Sequence, residues 1–330
     1  MAKILKAMKP ERQRWGIGLA GLALVAVVGL GLLAVVIAIL AVALSLSSPS
    51  LELPFQEKCV GLIKIEGVLS TEETGAGLFS GGTTGSEETA ELIREAGERD
   101  DVQAVVLEIN SPGGSVVASR EIYEAIAELE KPKVAYFREV AASGGYYIAA
   151  DADYIVSNPD AMTGSIGVRA TVEDMSGLFE KLGINTTTIK SGEHKDMGDP
   201  SRPLTEEEKA ILQGIVSEIF QEFRQVVEEG RGERLDRTRF EQVLDGRVLT
   251  GRQAREIGLV DELGNRKTAL RKAAELANMS YEGDSPKVCA IERQPRFFEE
   301  FFGVFTRFTV DVLSALLKES SGARAVRLEY

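Results

Sequence analysis

Val140, Ala141, Ala142, Ser143, Gly144 and Gly145 close an apolar, strand-like run that begins at Lys133. A strand running into a small-residue turn displays a serine hydroxyl at the start of a helix, where it can act as a nucleophile. Taken by itself, a serine in that place is more often a helix N-cap. A nucleophilic serine needs a base, and the chain holds one histidine, His194. His194 has Glu193 as its one nearby orienting carboxylate, and Lys195 follows it directly. Lysine is the stronger candidate for the base. To work near neutral pH a lysine must titrate about 3 units below its free value, which burial beside hydroxyls achieves and exposure does not. Most lysines are instead solvated or loosely paired.

Ser165 lies in Thr163, Gly164, Ser165, Ile166, Gly167 and offers a hydroxyl that can hold such an amine. Its plainer reading is a turn hydroxyl bonded to local backbone. Asn110, Ser111, Pro112, Gly113, Gly114 and Ser115 follow a second apolar strand that ends at Ile109. The glycines leave backbone N–H groups uncovered at a helix start, which suits an anion and therefore an oxyanion. A simple strand-to-helix turn needs the same residues. Gly144, beside Ser143, supplies a further N–H.

The elements that must position these residues follow from periodicity. Strands are expected at 59–65, 102–109, 134–140, 154–156 and 185–190. Helices are expected at 87–99, 115–129, 144–152, 174–182 and 205–230, then near 236–244, 250–257 and 265–278. Thr205 followed by three glutamates is a capping signature for the long helix. Residues 70–86 are rich in Gly, Thr, Ser and Glu and read as a mobile loop. Strands alternating with helices imply an α/β domain with a largely parallel sheet.

The net charge of −13 conceals an asymmetry. Residues 1–15 carry Lys3, Lys6, Lys9, Arg12 and Arg14 against Glu11, and residues 16–50 carry no charge, so the remainder is more acidic than the total. An acidic body argues against nucleic acid as a partner. The uncharged run 16–46 exceeds the ~20 residues that span a bilayer core and is too long for a cleavable signal peptide. Its basic flank is N-terminal, which places residues 1–15 in the cytoplasm and the body outside it. Phe297, Phe298, Phe301, Phe302, Phe305 and Phe308 form one face of an amphipathic segment, suited to packing against protein or to lying on a membrane surface. Cys59 and Cys289, each in a short apolar run, read as two buried free thiols, with a single bridge open outside the cytosol.

Further sequence runs continue the order set by the turn at Asn110, by Ser143 and by Ser165. Lys190, Ser191 and Gly192 lead to Lys195 and Asp196. Then come Gly246, Arg247, Val248, Leu249, Thr250 and Gly251, and Gly258, Leu259, Val260, Asp261 and Gly264. In this order the set resembles the short form of signal peptide peptidase A, Ser/Lys-dyad serine peptidases of bacteria and archaea. The resemblance covers roughly residues 58–280 and the N-terminal anchor. It implies a ClpP/crotonase-like fold, with Ser143 as nucleophile, Lys195 as general base and Ser165 orienting the lysine amine. Gly113 or Gly114, with Gly144, would supply the oxyanion N–H groups. No cofactor or metal is implied. The partners implied are peptide substrates such as released signal peptides, membrane lipid and further copies of the chain in an octamer-like ring, where serine and lysine meet from adjacent subunits. ClpP-type proteases use a histidine after the serine, but Val168 stands near the corresponding position. A crotonase-like acyl-CoA enzyme needs no nucleophilic serine and no anchor, and an inactive membrane scaffold needs none of these site residues. The expected division is a cytoplasmic N-terminus (1–15), a transmembrane helix (16–46), a linker (47–57), a peptidase domain (58–285) and a Phe-rich tail (286–330).

Overall fold

The computed structural model describes residues 57–72 and 83–292, with a few residues between 29 and 38. The chain divides into two compact units, Met1–Gln56 and Glu57–Tyr330. In the first unit the described residues are helical and expose Leu30, Leu33 and Ile37. Most of the expected span, and the Phe-rich segment beyond residue 292, lie outside the described residues. Among the described residues no helix is long and apolar enough to cross a membrane.

The second unit is built on a sheet of eight strands. β1 (Cys59–Glu66), β4 (Val102–Ser111), β5 (Lys133–Ala142) and β6 (Tyr154–Ser157) form its centre, with β9 (Glu262–Leu263) and β10 (Val288–Ala290) as outer strands in the order β10-β1-β4-β5-β6-β9. All of these pairings are parallel. β7 (Met162–Gly164) continues beside the end of β5 and pairs antiparallel with β8 (Val248–Thr250). β2 (Val68–Ser70) and β3 (Thr83–Gly85) make a separate parallel pair.

The central strands read as near-continuous apolar runs because both faces are covered, as parallel sheets require. On one face Val60, Leu62, Ala104, Val106, Val134 and Val156 meet Ala269, Leu270, Ala273 and Ala274 of α8 (Arg266–Leu276). The alternate residues, Ile63, Ile65, Val105, Leu107, Ile109 and Phe137, form the larger core. That core is covered by α1 (Ser86–Glu98), α2 (Val116–Glu128), α3 (Gly144–Tyr147) and the last turns of α5 (Glu206–Arg231). Between α3 and α5 lies α4 (Ser176–Leu182), and α6 (Arg237–Glu241) and α7 (Gly251–Ile257) precede α8.

The structure corrects four expectations. Residues 185–190 form no strand: the Thr/Ile alternation has no partner strand, and Ile189 is 96% exposed. The helix after Ser143 stops at Tyr147 and gives way to turns. The supposed loop 70–86 contains β3, paired with β2. Cys59 and Cys289 are joined in a disulfide, with Cα atoms 5.8 Å apart, in place of two free thiols. Parallel pairing of Gly61 with Cys289 brings the two within bridging reach. β10, at residues 288–290, joins the sheet beside β1.

Candidate active site

β5 delivers Ser143 to the carboxyl edge of the sheet, where parallel α/β sheets bind ligands. Ser143 has φ 53° and ψ −124°, a left-handed state rarely adopted by a residue with a side chain. The kink turns the chain from β5 straight into α3. It is held by two bonds from the first helical turn, the Tyr146 and Tyr147 N–H groups donating to the Ser143 carbonyl at 2.9 Å. A third bond runs from the Ser143 N–H to the Gly164 carbonyl at 2.8 Å.

That last bond places Ser165. Ala142 pairs with Gly164 in the β5–β7 ladder, so Ser143 and Ser165 are the next residues on two adjacent parallel strands. Neighbouring strands lie about 4.8 Å apart. Ser165 also has a positive φ, 51°, and its N–H donates to the Arg247 carbonyl at 2.8 Å. Two half-buried serines therefore stand side by side at kinked strand ends.

The glycine turn after β4 completes this cluster. A Cβ on Gly113 (φ 90°) would lie 2.5 Å from the Gly144 nitrogen, and one on Gly144 would lie 3.3 Å from the Gly114 nitrogen. The two turns are packed backbone against backbone, and neither has room for a side chain. The Gly113 N–H is already engaged, donating to the buried Ser111 Oγ at 3.1 Å. The Gly114 and Gly144 N–H groups have no partner among the described residues. Gly114 is fixed through its neighbours: the Leu69 N–H donates to the Gly113 carbonyl, and the Ser115 N–H to the Leu69 carbonyl. Two free N–H groups beside a displayed hydroxyl suit a tetrahedral oxyanion formed at Ser143.

Behind Ser143, α3 is locked from two sides. The Tyr146 hydroxyl donates to the Leu259 carbonyl at 2.8 Å. The Tyr147 hydroxyl donates to Glu222 of α5 at 3.3 Å, and its ring meets Phe223 edge-on at 5.2 Å. Burial, followed by the nearby Glu222 carboxylate, pushes the Tyr147 hydroxyl far above its ordinary range, so it remains a neutral donor.

The remaining expected residue, Lys195, is elsewhere. It lies in a series of turns spanning 191–202, where its N–H donates to the Gly192 carbonyl at 3.2 Å; its side chain is exposed and forms no hydrogen bond or ion pair with any described residue, Ser143 and Ser165 included. The His194 side chain likewise forms no hydrogen bond to Ser143 or Ser165; its Nε2 lies 3.7 Å from Glu207 of α5. Residues 168–201 bond to one another and to the start of α5, and none bonds to the sheet. The sequence missed the group that organises this segment, Asp196 with Arg202 and Glu208. Its one legible trace was the capping signature at Thr205.

Comparison with known proteins bears on this cluster. The pattern of peptidase family S49 matches residues 125–280, which include both serines and Lys195. A candidate protease of Methanocaldococcus jannaschii is 38% identical over 241 residues, 72% of this chain and 77% of that protein. The chain belongs to peptidase family S49. A candidate signal peptide peptidase SppA of Enterococcus faecium is 35% identical to this S49 peptidase, over 73% of this chain and 72% of its own. The chloroplastic serine protease SPPA of Arabidopsis thaliana is 36% identical over 59% of this chain and 29% of its own.

Proposed function

We propose that this S49 peptidase is a membrane-anchored serine endopeptidase acting outside the cytoplasm on released signal peptides and other unfolded, apolar segments. The observation that carries this reading is the juxtaposition of Ser143, Ser165 and the free N–H groups of Gly114 and Gly144. The uncharged run 16–46 with its basic N-terminal flank supports the anchor and its orientation.

In this mechanism Ser143 Oγ attacks the scissile carbonyl carbon, and its proton passes to the neutral amine of Lys195. The carbonyl oxygen takes the negative charge and accepts from the Gly114 and Gly144 N–H groups. Collapse breaks the C–N bond, and the leaving amine takes the proton back from Lys195. Water then hydrolyses the Ser143 ester by the same route in reverse. Ser165 Oγ accepts from the lysine amine and aims it at Ser143. Because the Lys195 side chain is exposed and unbonded to its own Ser143, it serves the Ser143 of a neighbouring copy, in a homo-oligomeric ring.

Ser143→Ala and Lys195→Ala should each abolish peptide hydrolysis. Full activity in either would overturn the dyad. Co-assembly of the two inactive variants should restore part of the activity, since one copy contributes the lysine and the next the serine. Absence of any recovery would return the dyad to a single chain.

A further inference from the structure

Lys195 belongs to a stretch with few fastenings. Between Ile166, which is buried, and Thr205, the cap of α5, no residue as a whole is buried, and Leu178, Leu182, Ile184 and Ile189 are open to solvent. A base carried on such a stretch needs something to fix it, because an unpositioned amine contributes little to proton transfer.

The fixing group is the residue after it. The Asp196 side chain is 9% exposed and accepts from Arg202 Nη2 at 2.7 Å, Arg202 Nε at 3.1 Å and Lys190 Nζ at 2.6 Å. Arg202 Nη2 also donates to the Asp196 carbonyl at 3.2 Å, so the guanidinium holds both backbone and side chain next to Lys195. The other side of the same guanidinium grips Glu208, with Nη1 to Oε2 at 2.8 Å and Nη2 to Oε1 at 2.6 Å. Glu208 is 2% exposed and is the third residue of α5. It accepts from the Thr205 N–H at 2.9 Å, while the Thr205 hydroxyl accepts from the Glu208 N–H. Arg202 thus ties the lysine-bearing turns to the capping box of α5. A planar fork bonded to two carboxylates fixes direction as well as distance, which a lysine ammonium does not.

We infer that Arg202, bridging Asp196 and Glu208, is a positioning residue for the catalytic base, setting where Lys195 is presented by reference to the N-terminus of α5. The inference rests on Lys195 being that base. Arg202 touches neither the nucleophile nor the oxyanion N–H groups, so its removal should act on the reaction step and leave the peptide-binding surface as it is.

The test is steady-state hydrolysis of an apolar peptide by the full-length, assembled enzyme, comparing Arg202→Ala, Arg202→Lys, Asp196→Asn and Lys195→Ala. Thermal midpoint and oligomer size are measured on each. Arg202→Ala should lower kcat about 10- to 100-fold, with KM within about twofold of wild type. Guanidinium ion at millimolar concentration should recover part of the loss by reoccupying the bridge. Arg202→Lys, which keeps the charge and loses the fork, should fall between, and it remains informative if the alanine variant does not assemble. Asp196→Asn should resemble Arg202→Ala without responding to guanidinium. Wild-type kcat in assembled Arg202→Ala and Arg202→Lys would overturn the positioning role while an inactive Lys195→Ala left the dyad standing. A rise in KM at constant kcat would also overturn it, by making Arg202 a substrate contact. Activity in Lys195→Ala would instead remove the dyad itself.

Discussion

Ser143 is held at φ 53° by its surroundings, since a side-chain-bearing residue in such a state costs about 1–3 kcal/mol. The cost is met by three backbone hydrogen bonds and by the packing of Gly113 against Gly144. Replacing Ser143 separates chemistry from strain. Ser143→Ala and Ser143→Gly should both lose covalent labelling by a serine-directed acylating probe. The glycine variant should unfold at higher urea, by about 1 kcal/mol after allowing for glycine's greater chain entropy. Equal or lower stability for glycine would show that the kink carries no strain. Ser165 also has a positive φ, 51°, so two adjacent strand ends each hold a serine in a backbone region that side chains disfavour.

Among the elements, α5 does the most. Its last turns are docked: Phe223, Val226 and Val227 are buried, and Arg231 pairs with Asp261 at 2.6 Å. Its first turns project, with Ile211 and Ile215 exposed. From Glu208 to Phe223 the helix rises about 22 Å, which separates the Lys195 turns from the point where α5 supports α3. The tie at the projecting end has a pH signature. Arg202, then the Thr205 backbone, hold the Glu208 carboxyl down to about 2, and Arg202 followed by Lys190 hold Asp196 well below its ordinary range. Both carboxylates are depressed on folding, so their stabilising effect is full above an unfolded carboxyl's pKa of about 4.3 and is lost as pH falls towards about 2. The difference in urea midpoint between wild type and Arg202→Ala should therefore be constant from pH 8 to about pH 5 and should shrink by pH 3. A difference that grew on acidification would contradict the ion-pair tie.

The long elements were legible in the sequence because their patterns are strong. The apolar runs of β4 and β5, the 3.6-residue spacing of α2 and the capping box of α5 all stand where periodicity put them. β7, β8 and β9 are two or three residues long and carry no period, so they exist only through their partners. That matters for the site, since the adjacency of Ser143 and Ser165 depends on the register of β5 with β7. Arg202 was illegible for a different reason: a charged residue in a polar stretch resembles a solvated one until its two carboxylates are seen to be nearly buried.

At the scale of the whole molecule, the disulfide closes the larger unit on itself. Cys59 begins the first described strand and Cys289 lies in the last described strand, so the bridge spans a separation of 230 residues. A disulfide is typically worth about 2–4 kcal/mol against unfolding, and a loop this long lies towards the upper end. Cys59→Ser with Cys289→Ser should lower the urea midpoint accordingly, and reductant should do the same to wild type while leaving the double variant unaffected. An equal response of both proteins to reductant would show that the bridge is not the cause.

β10 is three residues long and β9 two, and together they terminate the sheet at either side. An exposed sheet edge invites any extended chain to hydrogen-bond along it. On the proposed substrates, extended and apolar, that hazard would be constant: the enzyme's own framework would compete with its active site for peptide. The short outer strands offer too little backbone for a peptide to zip onto, and the disulfide pins β10 in front of β1, which is eight residues long and largely buried. Breaking that bond would free a much longer template. Reduced enzyme mixed with an apolar peptide should therefore form thioflavin-positive aggregates sooner than oxidised enzyme at equal concentration, and Ser143→Ala enzyme should behave the same way, since the effect belongs to the edge and not to catalysis.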